Sequence, residues 1–322
     1  MSMAVAAARE WSEDGEKHCS KAMPDTLSIE EFSYAAPDDP PLKRFVIHLI
    51  ERMTGQPYLR WLYEDYRNNP PAGETFWDSA IRRLELKVDY DKAKLAAWPK
   101  TGPLVVVCNH PFGVLDGLVS CHIVAKVRTD FRILTNSVLY RAEEIRPYLL
   151  PIDFAETKEA LATNLKSRAD AKAHLMGGGC LIIFPAGGVS TTPTVWDKRA
   201  IDTEWKTFTA RMISQARAPV APLYFAGQNS VLFQLVSHLS LTLRLSLLFN
   251  EVHNKIGSEI RAAVGDVVPY ASLASISDRH AFMQRLREMT YALGVGVSNP
   301  PKPSVRRPRR VPPPGYPVPG TA

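Results

Sequence analysis

Five apolar residues in a row, Leu104-Val105-Val106-Val107-Cys108, stop abruptly at Asn109-His110-Pro111-Phe112-Gly113. A β-branched run of this kind reads as a strand buried on both faces, and the change to polar, Pro and Gly residues marks the loop at its end. Both faces are covered only if helices lie on each side, which points to an α/β layered domain. A second run, Cys180-Leu181-Ile182-Ile183-Phe184, ends in the same way at Pro185-Ala186-Gly187-Gly188-Val189-Ser190. Strand ends of this kind are where α/β proteins place their chemistry.

The rest of the chain arranges itself around these two strands. Residues 1–40 are polar, acidic and Pro-containing, a flexible leader. Residues 41–83 form an N-terminal helical segment, with Phe45, Leu49 and Met53, then Leu59, Leu62, Tyr63 and Tyr66, at helical spacing on either side of Gly55-Gln56-Pro57. From 84 to 295 strands alternate with helices. Leu84-Glu85-Leu86-Lys87-Val88 alternates as a strand, Asp91 opens a short helix, and a helix from about Val114 to Val127 carries Asp116 in its first turn. Phe131–Thr135 reads as a strand, the segment around Tyr140–Tyr148 as helical, and Leu149–Asp153 as a short extended piece. A helix from Thr157 ends at Gly177-Gly178-Gly179, and another covers Trp205–Arg217. Pro222 makes Val220–Phe225 an irregular or edge strand. Between 229 and 249 leucines alternate as in a strand, but length and the lack of a breaker favour a helix. Glu259–Val264 is the last strand, and Phe282, Leu286, Met289 and Leu293 mark a closing helix. The tail, 296–322, has nine prolines after Asn299 and should be extended and unpacked.

The net charge of +6 invites a nucleic-acid reading. Its distribution argues against one. Lys302, Arg306, Arg307, Arg309 and Arg310 stand in a tail without acids, so the last 27 residues carry +5 of that charge and the fold itself is nearly neutral. Cys19, Cys108, Cys121 and Cys180 show no CxxC spacing, which argues against a metal cluster or a disulfide framework and fits a reducing compartment. The Ala-rich start is too short for a signal sequence, and no apolar run reaches the roughly 18 residues of a membrane span. The expected place is the cytoplasm, peripherally on the inner face of the membrane.

On residues alone, His110 and Asp116 can serve as a base and its orienting partner, or as a loop histidine and a helix-capping acid. Cys108, two residues before His110, invites a thiol nucleophile, against which stands its apolar strand. Gly187 and Gly188 allow either a tight turn or a set of N–H groups facing an anion.

Asn109-His110-Pro111-Phe112-Gly113-Val114-Leu115-Asp116-Gly117 resembles the first motif of the glycerolipid (lysophospholipid) acyltransferase superfamily, in the longer form of its hemolysin-like branch, where five residues rather than four separate His and Asp. Phe184-Pro185-Ala186-Gly187-Gly188-Val189-Ser190 keeps the frame of that superfamily's Phe-Pro-Glu-Gly-Thr-Arg-Ser motif but lacks its Glu and Arg. Asn136-Ser137-Val138-Leu139-Tyr140-Arg141 resembles the acceptor-binding motif, and Val220–Phe225 the fourth motif. The resemblance implies a layered acyltransferase-type α/β domain, a central mixed sheet flanked by helices. It implies His110 as general base oriented by Asp116, with Asn136, Ser137, Arg141, Phe184, Pro185, Gly187, Gly188 and Ser190 binding substrate. Loop N–H groups near Gly113 or Gly187 would stabilise an oxyanion. The donor would be acyl-CoA or acyl carrier protein, the acceptor a lysophospholipid or lyso-aminolipid, and no cofactor or metal is implied. An inactive lipid-binding relative and an ester or thioester hydrolase remain open as alternatives.

Overall fold

The computed structural model describes residues 40–137, 139, 142–153, 157–239, 241–297, 310–314 and 316. Seven strands, β1 Lys87–Asp89, β2 Leu104–Cys108, β3 Phe131–Asn136, β4 Leu149–Ile152, β5 Cys180–Ile183, β6 Val220–Phe225 and β7 Glu259–Val264, form one sheet in the order β1-β7-β6-β2-β5-β3-β4. All neighbours are parallel except β6 and β7, so the sheet is mixed. The two all-apolar strands, β2 and β5, are adjacent at its centre, Leu104 opposite Cys180, and every residue of both is buried.

Helices supply the covering that such strands require. On one face Val105, Val107, Leu181, Ile183 and Val220 pack against Ala171 and Leu175 of α6 (Lys158–Met176), Met212 and Ile213 of α7 (Phe208–Ala216), and Phe282, Met283 and Leu286 of α11 (Arg279–Ala292). Against the sheet packs also α5 (Val114–Val124), which contacts β3 and α3 (Phe76–Arg83). At the amino ends of β2 and β5 the buried Arg128 donates to Pro99 O, Gly102 O and Gly178 O and pairs with Asp130. Charge-assisted bonds of this kind stabilise by about 1.5–3 kcal/mol each.

Several elements differ from the sequence reading. The first strand begins only at Lys87, because α3 runs up to Arg83 and Glu85 turns the chain in the left-handed region, φ 51°. In 142–148 there is a 3₁₀ turn, Arg146–Tyr148, in place of a helix. Trp205 precedes α7 and is buried on its own account. The apolar stretch after Ser230 is helical, as length suggested, but in three pieces: α8 Val231–Ser237, α9 Leu241–Ser246 and α10 Leu248–Lys255.

The strand containing Pro222 is not at an edge; it lies between β2 and β7, wholly buried, and the irregularity that Pro222 signals is a slip in its pairing with β7. Val220 N–H points toward β7, donating to Val268 O at 2.9 Å, and residue 222 has the same parity. The N–H that proline lacks would therefore face β7, where the pairing slips by one residue, from Val220 opposite Val268 to Leu223 opposite Val264. The missing donor thus falls where the ladder is already interrupted. Gly265 closes the bulge, donating to Pro222 O while its own carbonyl takes the Trp98 indole N–H at 3.0 Å.

Two N-terminal helices, α1 Pro41–Met53 and α2 Gln56–Asn68, meet at Gly55, which has φ 94°. The short α4 (Lys92–Ala96) is capped by Asp91. Where the tail is described it is not unpacked: Arg310 pairs with Glu85, His253 Nε2 lies 3.1 Å from Arg310 O, and the Tyr316 hydroxyl donates to Glu64 of α2 at 2.7 Å.

A Cβ on Gly265 would stand 2.5 Å from Pro222 Cγ and 2.9 Å from Pro222 O. Gly265→Ala is expected to destabilise the fold by about 1–3 kcal/mol, measured by urea denaturation. An unchanged midpoint would contradict this account of the bulge.

Candidate active site

The carboxyl ends of β6, β2 and β5 lie side by side, so the loops leaving them meet at one edge of the sheet. Asn109 sets where the first loop begins. Its buried side chain acts as one more strand residue, donating from Nδ2 to Phe225 O at 2.9 Å and accepting from Phe225 N at 2.7 Å. The backbone is then free to turn, and His110 is the next residue.

Asp116 lies in the first turn of α5, behind Gly113 at its amino end. Its Oδ2 accepts from Phe112 N at 2.7 Å and Gly113 N at 2.9 Å and lies 3.0 Å from His110 Nδ1. Gly113 has φ 86°, and a Cβ there would come within 2.8 Å of Leu248. Asp116 has no solvent exposure, and burial pushes its carboxyl above the usual range while His110 and the two amides pull it back. An oxygen facing two N–H donors is an acceptor, so His110 Nδ1 is the nitrogen that donates to it, and Nε2 is the nitrogen left for other partners. The His110 side chain is 17% exposed, and the Phe184 ring lies against it at 4.3 Å between centroids. Lys255 Nζ sits 4.5 Å from the Phe112 ring centroid; burial lowers its pKa, opposed by Glu251 and Asp116.

The second loop is tied to the first. Ser190 N donates to His110 O at 2.7 Å, and both the Ser190 hydroxyl and His110 N donate to Asp202 Oδ1. Asp202 Oδ2 takes the Trp205 indole N–H at 2.9 Å, and Arg287 donates to Asp202 O at 3.0 Å. Asp202, 2% exposed, therefore braces both loops. Sequence reasoning missed it, since no motif or periodicity marks residues 201–205; an Asp three residues before a Trp was the only local cue.

Of the residues expected at the site, His110, Asp116, Phe184 and Ser190 are brought into contact. Pro185 is structural in its contacts, its carbonyl accepting from Lys206 N. Asn136 and Ser137 lie at the carboxyl end of β3, on the same edge beyond β5. Arg141 lies outside the described residues. The N–H groups of Gly113 and Gly187 are not available to an oxyanion, because the first donates to Asp116 and the second to Phe184 O. Gly188 N–H, by contrast, makes no hydrogen bond among the described residues. Arg244 of α9, which no motif contains, donates to Val189 O beside it. Cys108 is fully buried with its thiol pushed well above the ordinary range, which removes it as a nucleophile. Among the described residues no group of three or more His, Cys, Asp or Glu is placed to hold a metal.

A family model described as acyltransferase matches residues 41–298. Two curated proteins, each named lyso-glycine lipid O-acyltransferase, are similar to this chain. The one from Phocaeicola vulgatus is 26% identical over 263 residues, covering 78% of this chain and 88% of that protein. The one from Bacteroides thetaiotaomicron is 22% identical over 260 residues, covering 78% and 91%. A solved structure, the 1-acyl-sn-glycerophosphate acyltransferase of Thermotoga maritima, aligns over 80% of this chain and 98% of its own with a TM-score of 0.45 and 11% identity.

Replacing Asp202 strands three buried donors from three segments. Asp202→Ala is expected to cost about 2–4 kcal/mol of stability, on the scale of about 1–3 kcal/mol for a buried donor left unpaired. Thermal and urea unfolding measure it, and a neutral substitution would refute the bracing role.

Proposed function

The chain belongs to the acyltransferase family, as an O-acyltransferase of the glycerolipid acyltransferase superfamily, and on that premise we propose that it moves a fatty acyl group from acyl-CoA or acyl carrier protein to the hydroxyl of a glycine-based lyso-aminolipid in membrane lipid synthesis. The observation that carries this reading is the 3.0 Å pairing of His110 Nδ1 with the buried Asp116, which leaves Nε2 as a base at a strand end. The activity for which the two curated relatives are named supports the choice of acceptor over a glycerol phosphate. So does the second loop, where Ala186 and Val189 stand at the positions of the resembling motif's Glu and Arg.

In this reading the acceptor hydroxyl gives its proton to His110 Nε2 as its oxygen attacks the thioester carbonyl carbon. Asp116 holds the imidazole and stabilises its cationic form. The tetrahedral oxyanion then collapses, the C–S bond breaks, and the leaving thiolate takes the proton back from His110. The products are the ester and a free thiol. Phe184 packs against the imidazole ring and limits its rotation. Asn136, Ser137, Gly187, Gly188 and Arg141 remain proposed substrate contacts.

Among the described residues no helix is long and apolar enough to cross a membrane. We place the enzyme peripherally, on the inner face of the membrane, through apolar side chains on α1 and α8. Leu42, Phe45 and Leu49 are exposed on α1, and Val231, Leu232, Leu235 and Leu239 on and just after α8. These helices are linked through α9, and beneath them Ile50, Phe233, Val236 and Leu245 pack with Leu248, Val114 and Val189. The apolar face thus runs inward to both strand-end loops, a path by which a bilayer lipid's hydroxyl would reach His110. Arg310, held by Glu85, contributes little to any electrostatic attraction by the tail.

With purified protein, acyl-CoA and lyso-glycine lipid, His110→Ala is expected to lower acyl transfer about 10²–10⁴-fold. Full activity in that variant, or release of free fatty acid without need of an acceptor, would sink the mechanism. The double variant Phe45→Glu, Leu232→Glu should bind phospholipid vesicles about tenfold or more weakly in flotation, since each buried apolar side chain contributes about 1.5–3 kcal/mol. Unchanged flotation would remove these helices from the membrane contact.

A further inference from the structure

Arg244 lies on α9, outside every motif, yet its guanidinium reaches the second strand-end loop. Nη2 donates to Val189 O and stands 3.7 Å from where a Cβ on Gly188 would be. The guanidinium carbon lies 5.9 Å from the Phe233 ring centroid. Among the described residues no Asp or Glu pairs with it, and the one influence on its pKa is burial, which lowers it. Lys255, the other desolvated cation of this region, is different, because Glu251 and Asp116 oppose the effect of its burial.

A half-buried cation ordinarily has a counter-charge, since desolvating an unpaired charge is costly. A guanidinium has five N–H donors, and the recorded hydrogen bond to Val189 uses one. Beside it the Gly188 N–H is uncommitted, and glycine has no side chain to close the space between them. The loop itself carries no charge from Phe184 to Ser190. A planar fork of donors next to a free backbone N–H is suited to an oxyanion with two accepting oxygens. The same loop lies against the His110 ring at Phe184 and bonds His110 O at Ser190, so an anion at Arg244 and a hydroxyl at His110 would belong to one ligand spanning the loop.

We infer that Arg244, together with the Gly188 N–H, binds the anionic head group of the acceptor, which for a glycine-based lipid is a free carboxylate. This rests on the acceptor proposed above and makes it more specific: the glycine is joined to the lipid through its amine, so that its carboxylate stays unblocked. Arg244 thereby sets which acceptor is used, while His110 and Asp116 act on the hydroxyl.

The test compares acceptors within one enzyme. Wild type, Arg244→Gln and Arg244→Lys are assayed with acyl-CoA and three lyso-lipids: lyso-glycine lipid with a free carboxylate, its methyl ester, and lysophosphatidate. The wild type is expected to prefer the free carboxylate, and Arg244→Gln to reduce the carboxylate-to-ester ratio of kcat/KM about 10–100-fold through KM, the scale of a lost charge-assisted contact. Arg244→Lys should fall between. A proportional loss on both acceptors, leaving the ratio as in the wild type, or an unchanged KM for the carboxylate, would overturn the inference while leaving the proposed reaction standing. If the wild type acylates lysophosphatidate and not lyso-glycine lipid, the glycine-based acceptor is wrong, and Arg244 is judged by the same ratio between lysophosphatidate and neutral monoacylglycerol. A wild type that prefers the neutral acceptor in both pairs refutes the inference outright.

Discussion

A carboxylate with no contact to water costs several kcal/mol unless donors replace its hydration. Asp116 meets that constraint at one oxygen, Oδ2, to which it draws two backbone amides and the His110 ring, while Oδ1 is buried without a partner among the described residues. Nothing else in the loop explains its shape so directly. To bring Phe112 N and Gly113 N to the same point the chain must turn tightly, which puts Gly113 at φ 86°, a conformation glycine adopts without strain. Ring orientation and loop shape are therefore one feature: removing the carboxyl would free the imidazole and leave two buried N–H groups without a partner.

A second buried carboxylate extends the same logic from one loop to two. Asp202 accepts from His110 N, Ser190 and Trp205. Its donors come from the ends of β2 and β5 and from the segment leading to α7. The adjacency of β2 and β5 makes this possible, because parallel neighbours deliver their carboxyl-end loops to the same edge. The site is thus held by two acids that face inward, whereas the groups left with open valence, His110 Nε2, Gly188 N–H and the remaining Arg244 donors, are those suited to a ligand.

Much of this was legible before any coordinates. Leu104–Cys108 and Cys180–Phe184 could be read as buried strands because an all-apolar run that short has few other uses. Asp116 could be assigned to a helix start because an acid is favoured beside the amino end. The closing helix and Glu259–Val264 followed from periodicity alone. Pro222 misled, since its lack of a donor argues for an edge only if the neighbouring strand keeps register, and the one-residue slip at Gly265 cannot be seen in a single segment. Of the oxyanion donors expected near Gly113 and Gly187, the N–H groups of those two residues are committed for a similar reason: whether an N–H is free depends on what lies opposite, here Asp116 and Phe184 O.

The sequence by itself determined local identity: which runs are strands, where they end, and that a histidine and an acid stand on one turn, because these depend on residues within a dozen positions of each other. Tertiary structure alone decided partnership. Asp202 reaches His110 across 92 residues and Arg244 reaches Val189 across 55, separations over which no pattern in a single chain carries information. Leu104–Gly117 names the proposed base and its partner on its own, but what braces that pair, and what gives the neighbouring loop its positive charge, exists only once the sheet has brought distant segments to one edge.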